Sequence, residues 1–277
     1  MFNLLLSPVA PARLLAPSRC LPLPLAWLLM AAPVLADNRS LLEEADGYRL
    51  PSASAKVEAL VEQYRADTLD KQRQYTVYLK PDRRSLVLMK SPSEAGQKVL
   101  MLADKFWLFM PASQRPIRIT AAQKLVGDAS TGDIANMTWS GDYQVNHVAD
   151  APCPQLPAAK KIASLAAQEP TSTQCLKVEL AAALKGVTYA KVVLYLAREN
   201  KLPIQADLYV SSGKKAKEAW YYAKELAGRT RISDMVLFDE IQPERYTVIH
   251  YQTITPKAVP DELFNPAALV RNTLQQW

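Results

Sequence analysis

Glycine, histidine and cysteine are all scarce in this chain of 277 residues, which holds 8, 2 and 3 of them respectively. Glycine falls well below its average usage of roughly 7%, and neither a phosphate-cradling P-loop nor a dinucleotide fingerprint can be written anywhere. The two histidines, His147 and His250, and the three cysteines leave almost nothing to ligate a transition metal. A Ser/His/Asp or Cys/His catalytic set would have to draw on one of those two imidazoles. His250 sits in the strand-like run YTVIHYQ on a half-buried face, and His147 lies in a loop-like stretch with no partner pattern nearby. Asp239 and Glu240 are adjacent on a strand, so they point to opposite faces and cannot share a substrate. The inventory argues against hydrolase and metalloenzyme chemistry, and no cofactor or metal is expected.

Long apolar runs are also missing, with one exception. LPLPLAWLLMAAPVL follows Arg13 and Arg19 and ends at the small-residue site Val34-Leu35-Ala36. It is too short and too rich in proline to span a bilayer, which takes about 20 residues. Residues 1–36 therefore read as a secretory signal cleaved near Ala36, leaving residues 37–277 as a single exported domain. Cys20 precedes the apolar run and goes with the signal. That leaves Cys153 and Cys175, and oxidising conditions make their pairing the default; the segment they flank, PQLPAAKKIASLAAQEPTSTQ, holds a short helix candidate between prolines.

Charge excludes a further class of partner. The chain has 33 Lys+Arg against 27 Asp+Glu. Without the two arginines of residues 1–36, the balance is a mild 31 − 27 = +4. Lys160-Lys161 and Lys214-Lys215-Ala216-Lys217 carry no interleaved aromatic platform, so they read as solvated turns and no nucleic acid is expected.

What the chain does have is alternation. Ser40-Leu41-Leu42-Glu43 opens a short helix. KVEALVEQY fits either a helix or a strand, and the hairpin series after it decides for strand. QRQYTVYLK, SLVLMK, QKVLMLAD, FWLFM, CLKVELAA, TYAKVVLYLA, LPIQADLYV, AKEAWYYAKEL, ISDMVLFDE and RYTVIHYQ follow as a meander with turns between them. In LPIQADLYV, Ile204, Ala206, Leu208 and Val210 are expected on one side. Asn265 caps a terminal helix whose first position is Pro266. In the middle, FWLFM stops at Pro111, RPIRI follows, Thr120 caps a short helix AAQKLVG that Gly127 ends, and Ser130-Thr131-Gly132-Asp133 turns into a second short helix or loop.

The string PASQRPIRITAAQKLVGDASTGDIA resembles the signature segment of the LolA-like outer-membrane lipoprotein-sorting family. Later pieces match too: VTY, LPIQADLY, SGK, GRTR and VPDELF, so that the resemblance covers about Leu41 to Leu269. It implies an α+β, mostly antiparallel fold, an incomplete (half) β-barrel of about ten strands whose short helices cover its open, concave side. It also implies a periplasmic carrier that holds the acyl chains of lipoproteins or lipids in a hydrophobic cavity. Such a carrier passes its cargo from an inner-membrane transporter to an outer-membrane acceptor, and is expected to be a monomer and not an enzyme. Tyr78, Leu86, Leu88, Trp107, Phe109, Leu180, Tyr195 and Tyr209 are the candidate cavity residues. Arg115 and Arg118 either anchor the lid through Asp133, Asp142 or helix-end carbonyls, or form surface ion pairs worth little. Two rivals remain: a periplasmic lipid-sensing regulatory module on the same fold, and, more weakly, an enzyme acting on lipid or glycan.

Overall fold

Along residues 75–79 the side chains of Tyr75, Val77 and Leu79 pack into one cluster and that of Tyr78 into another, and all four are buried. A strand that is apolar on both faces has to be covered twice, and this demand recurs across the sheet. The computed structural model describes residues 32–51, 53–113, 115–120, 123–126, 129–130, 133, 138–226 and 228–271. The expected leader falls outside the described residues as far as residue 31.

A helix, α1 (Ala32–Gly47), precedes the first meander: β1 (Ala55–Arg65), β2 (Thr68–Lys80), β3 (Arg84–Met89), β4 (Lys98–Leu102), β5 (Lys105–Phe109) and β6 (Ile117–Ile119). A small ribbon of β7 (Lys124–Val126) and β8 (Ala129–Ser130) comes next, then a single helical turn, α2 (Trp139–Asp142). The second meander is β9 (Tyr143–Pro152), β10 (Gln174–Ala182), β11 (Lys191–Ala197), β12 (Pro203–Tyr209), β13 (Lys215–Leu226), β14 (Arg229–Asp239) and β15 (Arg245–Pro256). A terminal helix, α3 (Pro266–Arg271), ends the described chain.

Thirteen strands form one antiparallel sheet in the order β6-β5-β4-β3-β2-β1-β15-β14-β13-β12-β11-β10-β9. It does not close, since β6 and β9 stand at its two ends. The two meanders meet at a seam where β1 pairs with β15. Hairpin chemistry is legible at the first turn, where Ala66 and Asp67 take φ of 45° and 61°, the left-handed pair that a two-residue hairpin requires. Asn265 caps α3 as expected, its Oδ1 accepting from Ala267 N at 2.9 Å.

Four expectations need correction. The sheet has thirteen strands where about ten are expected: the polar stretch around His147 is not a loop but the edge strand β9, and residues 117–119 form the opposite edge, β6. Residues 124–126, placed in a helix, form a strand against β8; three residues are too few to nucleate a helix against a pairing partner. Between the cysteines the expected helix is a pair of 3₁₀ turns, Ala158–Lys160 and Ala163–Gln168. Ile204 packs with Trp220 and Val236 and not with Ala206 and Leu208, a consequence of the bulge between β11 and β12 at Tyr195/Leu196.

The covers differ on the two faces. The inner, helix-capped face carries the largest cluster, to which α1 adds Leu42 and Ala45 and α2 adds Trp139. On the outer face, Val259, Leu263, Phe264 and Leu269 of the C-terminal segment lie on Tyr78, Leu86, Leu88, Leu100 and Phe109. The loop closed by Cys153–Cys175 lays Leu165 on Ile204, Trp220, Tyr222 and Phe238. That disulfide spans 22 residues, and closing such a loop stabilises by about 3 kcal/mol. Replacing both cysteines by serine should lower the unfolding free energy by about that much in urea titrations while the sheet still forms. An unchanged midpoint would mean that the cross-link adds nothing to its loop.

Candidate functional site

The site is built where α1 meets α2. A single helical turn has few internal bonds, and its leading N–H groups need outside acceptors. Thr138 caps α2, its Oγ1 accepting from Gly141 N at 3.1 Å, and Asp142 Oδ2 accepts from Thr138 N at 2.8 Å. Residue 141 has to be glycine, because a Cβ there would stand 2.5 Å from Thr138 Oγ1. The next donors are met from α1. Asp46 Oδ1 accepts from Trp139 N at 3.1 Å, and its Oδ2 accepts from Ser140 N at 2.9 Å and Ser140 Oγ at 2.8 Å. One carboxylate at the end of α1 thus sits on the N-terminus of α2, where the partial positive charge favours it.

Arg49 completes the junction. Its guanidinium lies 4.1 Å from the centroid of the Trp139 ring and 3.8 Å from Asp46 Oδ1. Trp139 in turn meets Tyr221 edge-on at 5.7 Å. Burial pushes the Asp46 carboxyl up, against the pull of Arg49 and the bonds from α2. Asp142 is fully buried and pairs with Arg83; burial raises its pKa too, with Arg83 opposing. Arg83 holds this position with a left-handed backbone, φ 56°, a conformation that costs a non-glycine residue about 1 kcal/mol or more.

A third ion pair lies deeper. Lys217 Nζ stands 2.9 Å from Asp133 Oδ2, with both side chains under a tenth exposed. Tyr189 Oη donates to the same carboxylate, and Tyr143 Oη donates to the Tyr189 carbonyl at 3.1 Å. Around these groups Trp139, Tyr221, Val192, Leu208 and Met235 fill the interior and leave a void of about 50 Å³. A second cavity, of about 420 Å³, is lined by Leu50, Leu79 and Met101 and by charged side chains of both signs, among them Arg39, Arg83, Glu43 and Asp46. Its volume falls within the usual range of ligand sites.

The residues singled out in sequence are distributed differently. Tyr78, Leu86, Leu88 and Phe109, with Trp107 beside them, form one outer cluster under the C-terminal segment. Tyr195 lies beside the other outer cluster, and Tyr209 takes Lys191 Nζ at 5.8 Å from its ring. Of the eight, Leu180 belongs to the helix-capped cluster. The reason is parity. A strand apolar on both faces does not declare which set lies beneath the helices. Asp133 and Asp142 do hold the inner junction, but with Lys217 and Arg83 as partners. Arg118 lies over Trp107 at 4.6 Å, and Arg115 is exposed. Lys217, read as part of a solvated turn, is buried, and Lys160 reaches Glu218 and Glu240 at 3.2 and 3.1 Å. Asp46, Arg49, Arg83 and Trp139 were missed. The available signals were an Asp-x-x-Arg at a helix end and the cap-like Thr138-Trp139-Ser140-Gly141-Asp142.

An open antiparallel half-barrel, its concave side closed by short helices, defines the class. The chain belongs to the LolA-like family. A family model described by the words "uncharacterized protein" matches residues 81–271. A LolA superfamily protein from Nitrosomonas europaea is 27% identical, with a TM-score of 0.71 over 82% of this chain and 97% of that one. Two more distant structures share the fold. One is an outer membrane lipoprotein-sorting protein domain from Vibrio parahaemolyticus, at 15% identity and TM-score 0.65 over 86% and 100% of the two chains. The other is a DUF1329 family protein from Desulfovibrio piger, at 18% and 0.60 over 85% and 98%. A search of curated proteins finds no match.

His250 occupies the outer face of the seam, its Nδ1 on Asp234 and its Nε2 3.4 Å from Glu62 Oε2. The bond to Asp234 holds the imidazole above its ordinary 6.5. Glu62 and Asp234 lie below their ordinary 4.5 and 3.8, their bonds outweighing burial. The histidine's contribution is complete below 6.5 and is lost as pH rises through its raised pKa. The carboxylates' share is present above 4.5 and is lost on acidification. Melting temperatures from pH 4 to 8 should therefore show the protein gaining most over His250→Gln between about 4.5 and 6.5. A difference independent of pH would remove His250 from the seam's charge balance.

Proposed function

We propose that this protein is a periplasmic carrier that shelters the acyl chains of lipoproteins or lipids between membranes. The observation that carries the reading is the contrast between its covers. Both outer patches are sealed by apolar contacts and a disulfide, whereas the inner face is closed by two short helices held through carboxylates. Moving an acyl chain through water costs about 0.8 kcal/mol per methylene, on the order of 10 kcal/mol for a chain of about a dozen. A carrier offsets that cost with apolar wall, and must close over its own wall when empty. Here Trp139, Leu42 and Ala45 act as that stopper.

Release needs a lid that opens without unfolding the sheet. Asp46, Arg49, Arg83 and Asp142 are suited to this, because opening returns their charges to water and so offsets part of the exposed apolar surface. Nothing in the junction requires a bond to be made or broken. Among the described residues, no helix is long and apolar enough to cross a membrane, which fits a carrier that works between bilayers.

A fluorescent fatty-acid probe should bind the purified protein at about one saturable site and be displaced by unlabelled lipid. Arg49→Met removes the charge and keeps bulk against Trp139. A desolvated cation–π contact contributes about 2 kcal/mol, so this variant should admit the probe on the order of thirtyfold faster and melt only a few degrees lower. If neither protein shows saturable binding, the carrier reading fails. If Arg49→Met binds at the wild-type rate, the junction is not the gate.

A further inference from the structure

The sheet ends at the short strand β6, where cations, a common guard of an exposed edge, stand among exposed apolar side chains. Between Asp104 and Asp128 the chain carries Lys105, Arg115, Arg118 and Lys124 and no acidic residue. Within this stretch apolar side chains run outward from the interior in steps. Phe106 is buried in the inner cluster, and Leu108 and Ile119 are partly buried against it. Ile117, paired with Leu108, is 47% exposed, and Met110 at the end of β5 is 41% exposed. On the other face of the same strand pair, Arg118 lies over the half-buried Trp107. The edge therefore presents isoleucine on its inner side and a guanidinium stacked on an indole on its outer side. A tryptophan, exposed aliphatics and exposed cations are the groups that settle at the boundary between lipid headgroups and acyl chains.

We propose that β6 is the docking edge of this protein on an anionic lipid bilayer, and that acyl chains pass over Ile117 and Ile119 between that bilayer and the helix-capped interior. Docking stands on the edge alone, and the route of the chains rests on the carrier reading. Charge complementarity selects the occupant: Arg115 and Arg118, both exposed, attract phosphate-bearing headgroups, and Ile117 and Met110 supply the short apolar anchor that charge alone lacks.

Flotation of the purified protein with vesicles tests the idea. It should rise with phosphatidylglycerol-containing vesicles, stay behind with pure phosphatidylcholine, and be released from the former by salt. Each arginine removed should weaken partitioning about fivefold, so Arg115→Gln/Arg118→Gln should lose roughly twenty-five-fold. Ile117→Ser should weaken the association that remains in high salt. Both variants change exposed side chains, and melting curves should match wild type. Equal flotation on both vesicle types would overturn the proposal, as would a double variant that floats like wild type. Sedimentation showing a dimer that Ile117→Ser dissolves, with no vesicle binding, would overturn it in favour of a second copy. The soluble fatty-acid probe, run on the same proteins, separates the two readings. Variants that bind probe but do not float support docking at this edge. A wild type that floats but binds no probe refutes the carrier and leaves docking standing.

Discussion

A sheet that does not close has two faces to hide, and most of the remaining chain is arranged by that necessity. Every strand from β2 to β5 and from β11 to β15 carries large apolar groups on at least one side. Water would drive such a surface to aggregate unless something covers it. The protein meets the demand with three pieces: the C-terminal segment and the disulfide loop outside, and α1 with α2 inside. They use different physics. The outer pieces close by burying Leu263, Phe264 and Leu165, which opening would return to water at full cost. The inner piece adds Asp46 and Asp142, buried carboxylates whose pKa values are raised by the site they occupy.

That difference sets where the molecule can move. A buried ion pair contributes little net stability, because desolvation takes back much of what attraction supplies. Its geometry, however, is specific. Asp46 meets two successive backbone N–H groups of α2 and the Ser140 hydroxyl, a fit that a shift of one residue would destroy. Specific but nearly balanced contacts suit a cover that has one closed position and a modest cost of leaving it. Arg83 is held in place by the turn between β2 and β3, where Asp82 and Arg83 take the same left-handed pair as Ala66 and Asp67.

Much of the sheet was legible because alternation is written in most strands on their own. Leu176, Val178 and Leu180 need no wider context to be read as a strand, whereas Val57, Ala59 and Val61 fit a helix as well and are decided by the hairpins after them. Edges were harder. Residues 143–152 hold few large apolar groups, since an edge strand buries little, and so β9 passed for a loop. The candidate site was legible least. Tyr78 and Val77 are equally apolar neighbours, and only the position of the helices distinguishes inner from outer. Arg115 and Arg118 drew attention as a basic run, while Arg49, isolated in sequence, and Arg83, in the turn before β3, reach Asp46 and Asp142, and Lys217 reaches Asp133. The disulfide was predictable from compartment and count alone, without any knowledge of what its loop would cover.

The seam between β1 and β15 carries one last consequence, for time rather than for structure. Residues 55–65 lie beside residues 245–256, so the longest loop closure in the chain joins its first strand to its last. Contacts so distant in sequence are the slow ones to make. The second meander carries its own covers, the disulfide loop and Trp139 of α2, whereas the outer cover of the first, Leu263 and Phe264, follows β15 in sequence. The first half of the sheet is therefore completed by the last part of the chain.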